Sequence, residues 1–333
     1  MKACVFGAGS FGTAIATVLA NTCDEVVLWG RDAAVVSAIN ATRENAGYLP
    51  GLKLPQVIRA SASLEDAATG AGLVVTATPS HATRELLAKA LPHLPRQAPI
   101  VTVAKGIENE TLLTMTEVHE QSLPEEMHPL VAVLSGPSFA KEMVQRLPTV
   151  VTIASRWEKT AERCQAMFSS ETFRTYRSTD VVGVQVGGAL KNVIAIAAGM
   201  ADGLGFGHNA RAGIITRGLA EVTRIAVAMG ANPLTLSGLA GMGDLVLTCT
   251  GELSRNRRVG IELGKGRALP DILQEMKQVA EGVKTAKAAK DLAAKVGVEL
   301  PICEQVYRIA YEGKSPKAAV VELMGRSLKS ELR

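Results

Sequence analysis

The chain of 333 residues predicts an α/β protein, a doubly wound and mostly parallel sheet followed by an all-α C-terminal domain. Three observations carry this. Near-continuous apolar runs alternate with helix-period segments up to about residue 179, as expected of strands covered by helices on both faces. A glycine-rich turn, Gly7-Ala8-Gly9-Ser10-Phe11-Gly12, stands directly after the first apolar run. Beyond about residue 180 the strand signal ends and helical periodicity alone continues. The expected division is 1–180 and 181–333, the second domain being wholly helical.

Residues 3–6 form the first predicted strand. The turn that follows opens a helix over 13–20, in which Ala14, Ile15, Val18 and Leu19 recur at helical spacing. Further strands are expected at 26–29, 73–78, 100–104, 130–134 and 150–154. Helices are expected at 84–91, 111–120, 139–146 and 159–168. In the second half, 181–199, 214–229, 261–264, 283–295 and 304–311 read as helices. The segment 199–213 carries five glycines and is expected to be a mobile loop. The long apolar stretch 181–200 is interrupted by Gln185, Lys191 and Asn192. A charge near a bilayer centre costs a few kcal/mol, so a buried helix is expected here and no membrane span.

Composition narrows the partners. The net charge of +4 is too small to argue for nucleic acid and suits an anionic small molecule. Five scattered cysteines, odd in number and without metal-like spacing, fit reduced thiols in a cytoplasmic protein with no metal site. The first strand starts by residue 3, so no signal peptide is expected.

The 7–12 turn has the form Gly-x-Gly-x-x-Gly between a strand and a helix. In that setting backbone amides reach a pyrophosphate at a positive helix N-terminus, the device of Rossmann-type dinucleotide sites. Gly7, Gly9 and Gly12, with Ser10 and Phe11 between them, are therefore candidate cofactor-binding residues. Arg31 stands nineteen residues past Gly12, at the end of the second strand. An acidic residue there would bind the ribose of NAD, whereas arginine pairs with the 2′-phosphate of NADP. The neighbouring Asp32 keeps both cofactors in view. Ligands in such folds lie beyond the carboxyl ends of the strands. The 7–12 turn, Arg31, Pro79-Ser80-His81, Lys105-Gly106 and Ser135-Gly136-Pro137-Ser138 should then line one cleft.

Lys191 sits among apolar and small neighbours, which would lower its pKa and suit it to pass a proton to a developing alkoxide. A lysine snorkelling from the helix edge explains the same pattern. Lys105 ends a strand and is a substrate-binding cation or an ordinary surface lysine. Ser135-Gly136-Pro137-Ser138 opens a helix, either as an oxyanion site or as a simple cap. Asp244 and Thr248 fall on one helical face, with Asp244 a ligand residue or an N-cap. Ser254-Arg255-Asn256-Arg257-Arg258 offers guanidinium forks suited to phosphate, or a solvated turn.

Taken together, the chain resembles the bacterial-type NAD(P)-dependent glycerol-3-phosphate dehydrogenases along nearly its whole length. Seven motifs carry the resemblance in order: the 7–12 turn, Val103-Ala-Lys105-Gly-Ile-Glu108, Leu134-Ser-Gly-Pro-Ser-Phe-Ala140, Gly188-Ala-Leu-Lys191-Asn192, Gly241-Met-Gly-Asp244-Leu, Ser254-Arg-Asn-Arg257 and Val279-Ala-Glu281-Gly282. The resemblance implies reversible reduction of dihydroxyacetone phosphate to sn-glycerol 3-phosphate, which feeds phospholipid synthesis. It implies Lys191 as the general acid/base, and Lys105, Gly136, Ser138, Lys191, Asp244, Ser254, Arg255 and Asn256 as substrate contacts. It implies Ser10, Phe11, Arg31, Lys105, Ala140, Arg255, Val279 and Glu281 as contacts to NAD(P), and Arg31 makes NADP the expected preference over NAD. Phe11 stands where the family often has tryptophan. A homodimer is also implied. Two rivals remain: a β-hydroxyacid or 6-phosphogluconate-type dehydrogenase, and a non-catalytic NADP-binding sensor.

Overall fold

A computed structural model describes residues 1–276, 280–328 and 330–331. Strands and helices alternate through the first half: β1 (Lys2–Phe6), α1 (Ser10–Leu19), β2 (Glu25–Trp29), α2 (Ala33–Thr42), β3 (Ile58–Ser61), α3 (Leu64–Ala68), β4 (Leu73–Thr76), α4 (Thr83–Ala90), β5 (Ile100–Thr102), α5 (Met115–Ser122), β6 (Val131–Ser135), α6 (Ala140–Val144), β7 (Thr149–Ala154), α7 (Glu158–Phe168) and β8 (Phe173–Ser178). The strands form one sheet in the order β3-β2-β1-β4-β5-β6-β7-β8. Every pair is parallel except β6–β7, which is antiparallel. Alternate side chains of β1 feed opposite faces, Ala3 and Val5 entering one apolar cluster and Cys4 and Phe6 another. The strand order reverses between β1 and β4, so the chain leaves their carboxyl ends in opposite directions and a crevice opens there.

Three elements between residues 33 and 68 have no counterpart in the sequence reading. Helix α2 is capped by Asp32, α3 is capped by Ser63, and β3 is a short edge strand. The opposite edge, β8, is also unannounced, because Arg174 and Tyr176 point to solvent and break the apolar run. Edge strands have one unpaired side and need fewer apolar residues, which weakens their signature.

The second half is built from α8 (Val181–Gly203), α9 (Gly207–Ala228), α10 (Pro233–Leu236), α11 (Asp244–Thr250), α12 (Arg255–Gly264), α13 (Leu269–Glu275), α14 (Glu281–Val296), α15 (Pro301–Glu312) and α16 (Pro316–Met324). Helix α8 runs through the middle and packs on α9, α11, α12, α14 and α15. It is long and apolar enough to cross a membrane, but 89% of its apolar window is buried inside the protein. The expected loop at 199–213 is not one, since α8 continues to Gly203 and α9 begins at Gly207. The glycines serve close approach instead. A Cβ on Gly199 would lie 2.1 Å from the Arg257 carbonyl oxygen, and one on Gly260 2.1 Å from that of Ile196. Gly203 and Gly264 repeat the contact one turn on, so α8 and α12 cross backbone to backbone. Likewise 261–264 is the end of a ten-residue helix that starts at Arg255.

Candidate active site

Two of the three glycines of the 7–12 turn are required by close approach. Gly7 has φ +123°, a conformation L side chains avoid, and a Cβ there would lie 2.7 Å from the Ala77 carbonyl oxygen. A Cβ on Gly12 would lie 1.9 Å from the Gly7 carbonyl oxygen. Gly9 differs: a Cβ there meets nothing within 4 Å. It is the N-cap of α1 and offers no side chain to the first amides of that helix. Amides at a positive helix end, opening onto free space at the carboxyl end of β1, fit a diphosphate. The Ser10 hydroxyl donates to the Tyr48 carbonyl at 3.3 Å.

At the end of β2, Asp32 and Arg31 separate in role. The Asp32 carboxylate accepts from the Ala34 amide at 2.9 Å and caps α2. Arg31 is exposed, within electrostatic reach of Glu85 on α4.

Two lysines from different halves converge on one carboxylate. Asp244 opens α11 and is fully buried, at 0% exposure. Its Oδ1 accepts from Lys191 Nζ at 2.5 Å and its Oδ2 from Lys105 Nζ at 2.8 Å. Lys191 also donates to Thr248 Oγ1 at 2.8 Å, the residue one turn along α11. At 7% exposure the Lys191 ammonium has lost most of its hydration. Burial pulls its pKa down to about 8, opposed by the Asp244 charge and assisted by the Lys105 charge. The snorkelling alternative therefore fails for this residue.

Lys105 is held at the mouth of the crevice. It donates to the Gly136 carbonyl at 2.8 Å and lies 3.4 Å from Ser138 Oγ and 5.6 Å from the Phe11 ring centroid. Gly136, with φ +138°, turns that carbonyl, which also accepts from Ser138 Oγ at 2.8 Å. Ala140 then starts α6, whose N-cap Phe139 supplies no side-chain acceptor. Four of the five predicted segments come into contact: Lys105 joins Gly136 and Phe11, Gly106 abuts Ser80, and Gly7 abuts Ala77, whereas Arg31 is linked only through its neighbour Gly30, which packs beside Ala8.

The far wall comes from α8, α12 and α14. Ser254 caps α12 through the Arg257 amide. The Arg255 and Asn256 amides, first of that helix, have no acceptor among the described residues. The Arg255 side chain is exposed and faces the Glu281 charge. The Asn256 side chain is committed inside the protein, giving to Asn192 Oδ1 at 2.9 Å and accepting from the Gly282 amide at 3.0 Å. Asn192 in turn reaches the Lys105 carbonyl at 3.4 Å. Burial raises the Glu281 pKa, opposed first by Arg255. Val279 lies outside the described residues.

Two contributors escape the sequence reading. Arg84 grips Glu108 at 3.0 and 2.7 Å, bracing the loop that carries Lys105. The Thr78 hydroxyl, two residues past β4 and beside the 7–12 turn, is buried with no hydrogen-bond partner among the described residues. The Arg84–Glu108 pairing and the burial of Thr78 both depend on distant segments that one stretch of chain does not reveal. No group of His, Cys, Asp or Glu among the described residues is placed to hold a metal.

A Rossmann-type crevice closed by a helical half that delivers a buried lysine defines a dinucleotide-dependent oxidoreductase. Family models described as NAD-dependent glycerol-3-phosphate dehydrogenase N-terminus and C-terminus match residues 2–161 and 180–321. A curated relative from Myxococcus xanthus, named glycerol-3-phosphate dehydrogenase [NAD(P)+], is 70% identical over 332 residues, covering 100% of this chain and 99% of its own. The chain belongs to the NAD-dependent glycerol-3-phosphate dehydrogenase family. Among solved structures, a glycerol-3-phosphate dehydrogenase from Coxiella burnetii matches with TM-score 0.92 and 37% identity, covering 98% of this chain and 99% of its own. A ketopantoate reductase from Ralstonia eutropha, 17% identical with TM-score 0.60 over 96% of this chain and 100% of its own, shares the fold.

Proposed function

We infer that this chain catalyses the reversible reduction of dihydroxyacetone phosphate to sn-glycerol 3-phosphate, with NADP(H) preferred over NAD(H), supplying phospholipid synthesis. The observation that carries the reading is the pair of lysines on Asp244, placed where the crevice of the first half meets the helices of the second. In this reading residues 1–180 bind the dinucleotide and 181–333 bind the substrate and complete the catalytic group.

The 7–12 turn and the α1 N-terminus hold the diphosphate, and Arg31 takes the 2′-phosphate. That preference is supported by Asp32, whose carboxylate is occupied as a helix cap. Phe11, Ala140, Val279 and Glu281 complete the cofactor contacts. When bound, the dihydronicotinamide supplies a hydride for C2 of the ketone. Lys191 donates a proton to the developing alkoxide and takes it back in the reverse direction. Asp244 orients Lys191 and keeps it protonated near neutral pH, while Lys105 binds the reacting end beside Gly136 and Ser138. Arg255 and the amides of Arg255 and Asn256, opened by the Ser254 cap, hold the phosphate. That binding energy orients the carbonyl for transfer. The Asn256 side chain contributes by position, since both ends of its amide are engaged within the protein.

A cytoplasmic homodimer completes the proposal; five buried, free cysteines support a reducing compartment. The test is oxidation of NADPH and NADH with dihydroxyacetone phosphate, run beside light scattering of the purified protein. Turnover with NADPH in excess of NADH is expected, at a dimer mass. No turnover with either would remove the reading in favour of a non-catalytic dinucleotide binder.

A further inference from the structure

Asp202 lies in the last turn of α8, and its carboxylate grips two arginines from two other helices. One oxygen accepts from Arg257 at 2.9 and 2.7 Å, the other from Arg211 of α9 at 2.8 and 2.6 Å. The side chains are largely buried, at 9% exposure for Asp202 and 16% for Arg257. Both ends of the Arg257 pair stand at electrostatically wrong places. A carboxylate in the last turn of a helix and a guanidinium in the first turn each oppose the helix dipole. Their presence there is compensated by each other, which ties the end of α8 to the start of α12. Immediately beside the pair the two helices touch backbone to backbone at Gly199 and Gly260.

Lys191 stands eleven residues before Asp202 on the same helix. Eleven residues make about three full turns, so both side chains leave α8 on one face, roughly 16 Å apart along the axis. One helix therefore carries the proton-donating lysine at its middle and a clamp on α12 in its last turn.

We propose that Asp202 is a positioning residue: through Arg257 it sets where the first turn of α12 meets the substrate phosphate relative to Lys191. This rests on the reading of that turn as the phosphate site. Asp202 touches no reacting atom, and it keeps Arg257 turned into the helix interface while Arg255 faces the cleft.

The experiment compares kcat/KM for dihydroxyacetone phosphate and for phosphate-free dihydroxyacetone, with NADPH, in Asp202→Asn and Arg255→Ala. Loss of a charged hydrogen-bond pair behind the binding group should lower kcat/KM for the phosphorylated ketone by about tenfold in Asp202→Asn. The value for dihydroxyacetone should stay within about twofold, which a general loss of structure would not permit. Arg257→Lys keeps the charge and loses the planar fork, so it should give the same substrate-specific loss in smaller measure even where Asp202→Asn folds poorly. Parallel losses with both ketones, or no loss with either, overturn the proposal. If Arg255→Ala abolishes the phosphate advantage and both Asp202→Asn and Arg257→Lys retain it, the phosphate site stands and the positioning role falls. If Arg255→Ala also retains it, both fall.

Discussion

Lys105 and Asp244 meet across the two halves of the chain, the ammonium donating to Oδ2 at 2.8 Å while the other carboxylate oxygen holds Lys191. Isolated, the buried charges of Asp244 and Lys191 would be costly, and the partly buried Lys105 less so. Together they satisfy one another, with the Gly136 carbonyl and Thr248 hydroxyl taking remaining donors. The cluster carries a net positive charge at the place where an anionic substrate is expected, and it forms only when the helical half sits against the sheet.

Replacing Lys191 by alanine removes the proton donor and leaves the α1 N-terminus untouched. In Lys191→Ala, kcat should fall by about 10²–10⁴ with the NADPH dissociation constant unchanged. Fluorescence titration and steady-state kinetics read the two quantities, and an unaltered kcat would remove Lys191 from the mechanism.

The lowered Lys191 pKa, about 8, sets opposite pH limbs for the two directions. Ketone reduction needs the ammonium, so its rate should be full below about 8 and decline above it. Alcohol oxidation needs the neutral amine, so its rate should rise through the same pH. Because the Asp244 charge supports the ammonium, Asp244→Asn should move the reduction limb to lower pH. A limb that stays in place in that variant contradicts the assignment.

Arg31→Ala tests cofactor choice. NADPH binding should weaken far more than NADH binding, because only the former has the 2′-phosphate. Equal losses would show that Arg31 does not read that group.

Gly260→Ala would set a methyl against the Ile196 carbonyl, and backbone yields less than a side chain. A loss of about 1–3 kcal/mol or more in urea unfolding is expected from such overpacking. Stability equal to the parent would mean that α8 and α12 have slack at their crossing.

Much of the fold was legible along the chain. The 7–12 turn between an apolar strand and an amphipathic helix is a local pattern, and the central strands are continuous apolar runs because helices cover both faces. The edge strands β3 and β8 and the short α3 were not legible: β3 and α3 are only four and five residues long, and β8 exposes Arg174, Tyr176 and Arg177, so none imprints a clear pattern. The glycines at 199 and 203 misled for the opposite reason. Their spacing is that of a flexible segment, and their function depends on a helix sixty residues away.

The same divide runs through the site. Local sequence was enough to specify a dinucleotide turn, a lysine in apolar surroundings and a cluster of arginines, because each is a property of neighbouring residues. Their partners came from long-range packing. Asp244 binding two lysines, Asn256 turning inward to Asn192 and Gly282, and Asp202 holding Arg257 are contacts between distant segments. Burial and charge pairing act through space, so a lysine's proton affinity and an arginine's direction were settled only when the helices closed around them.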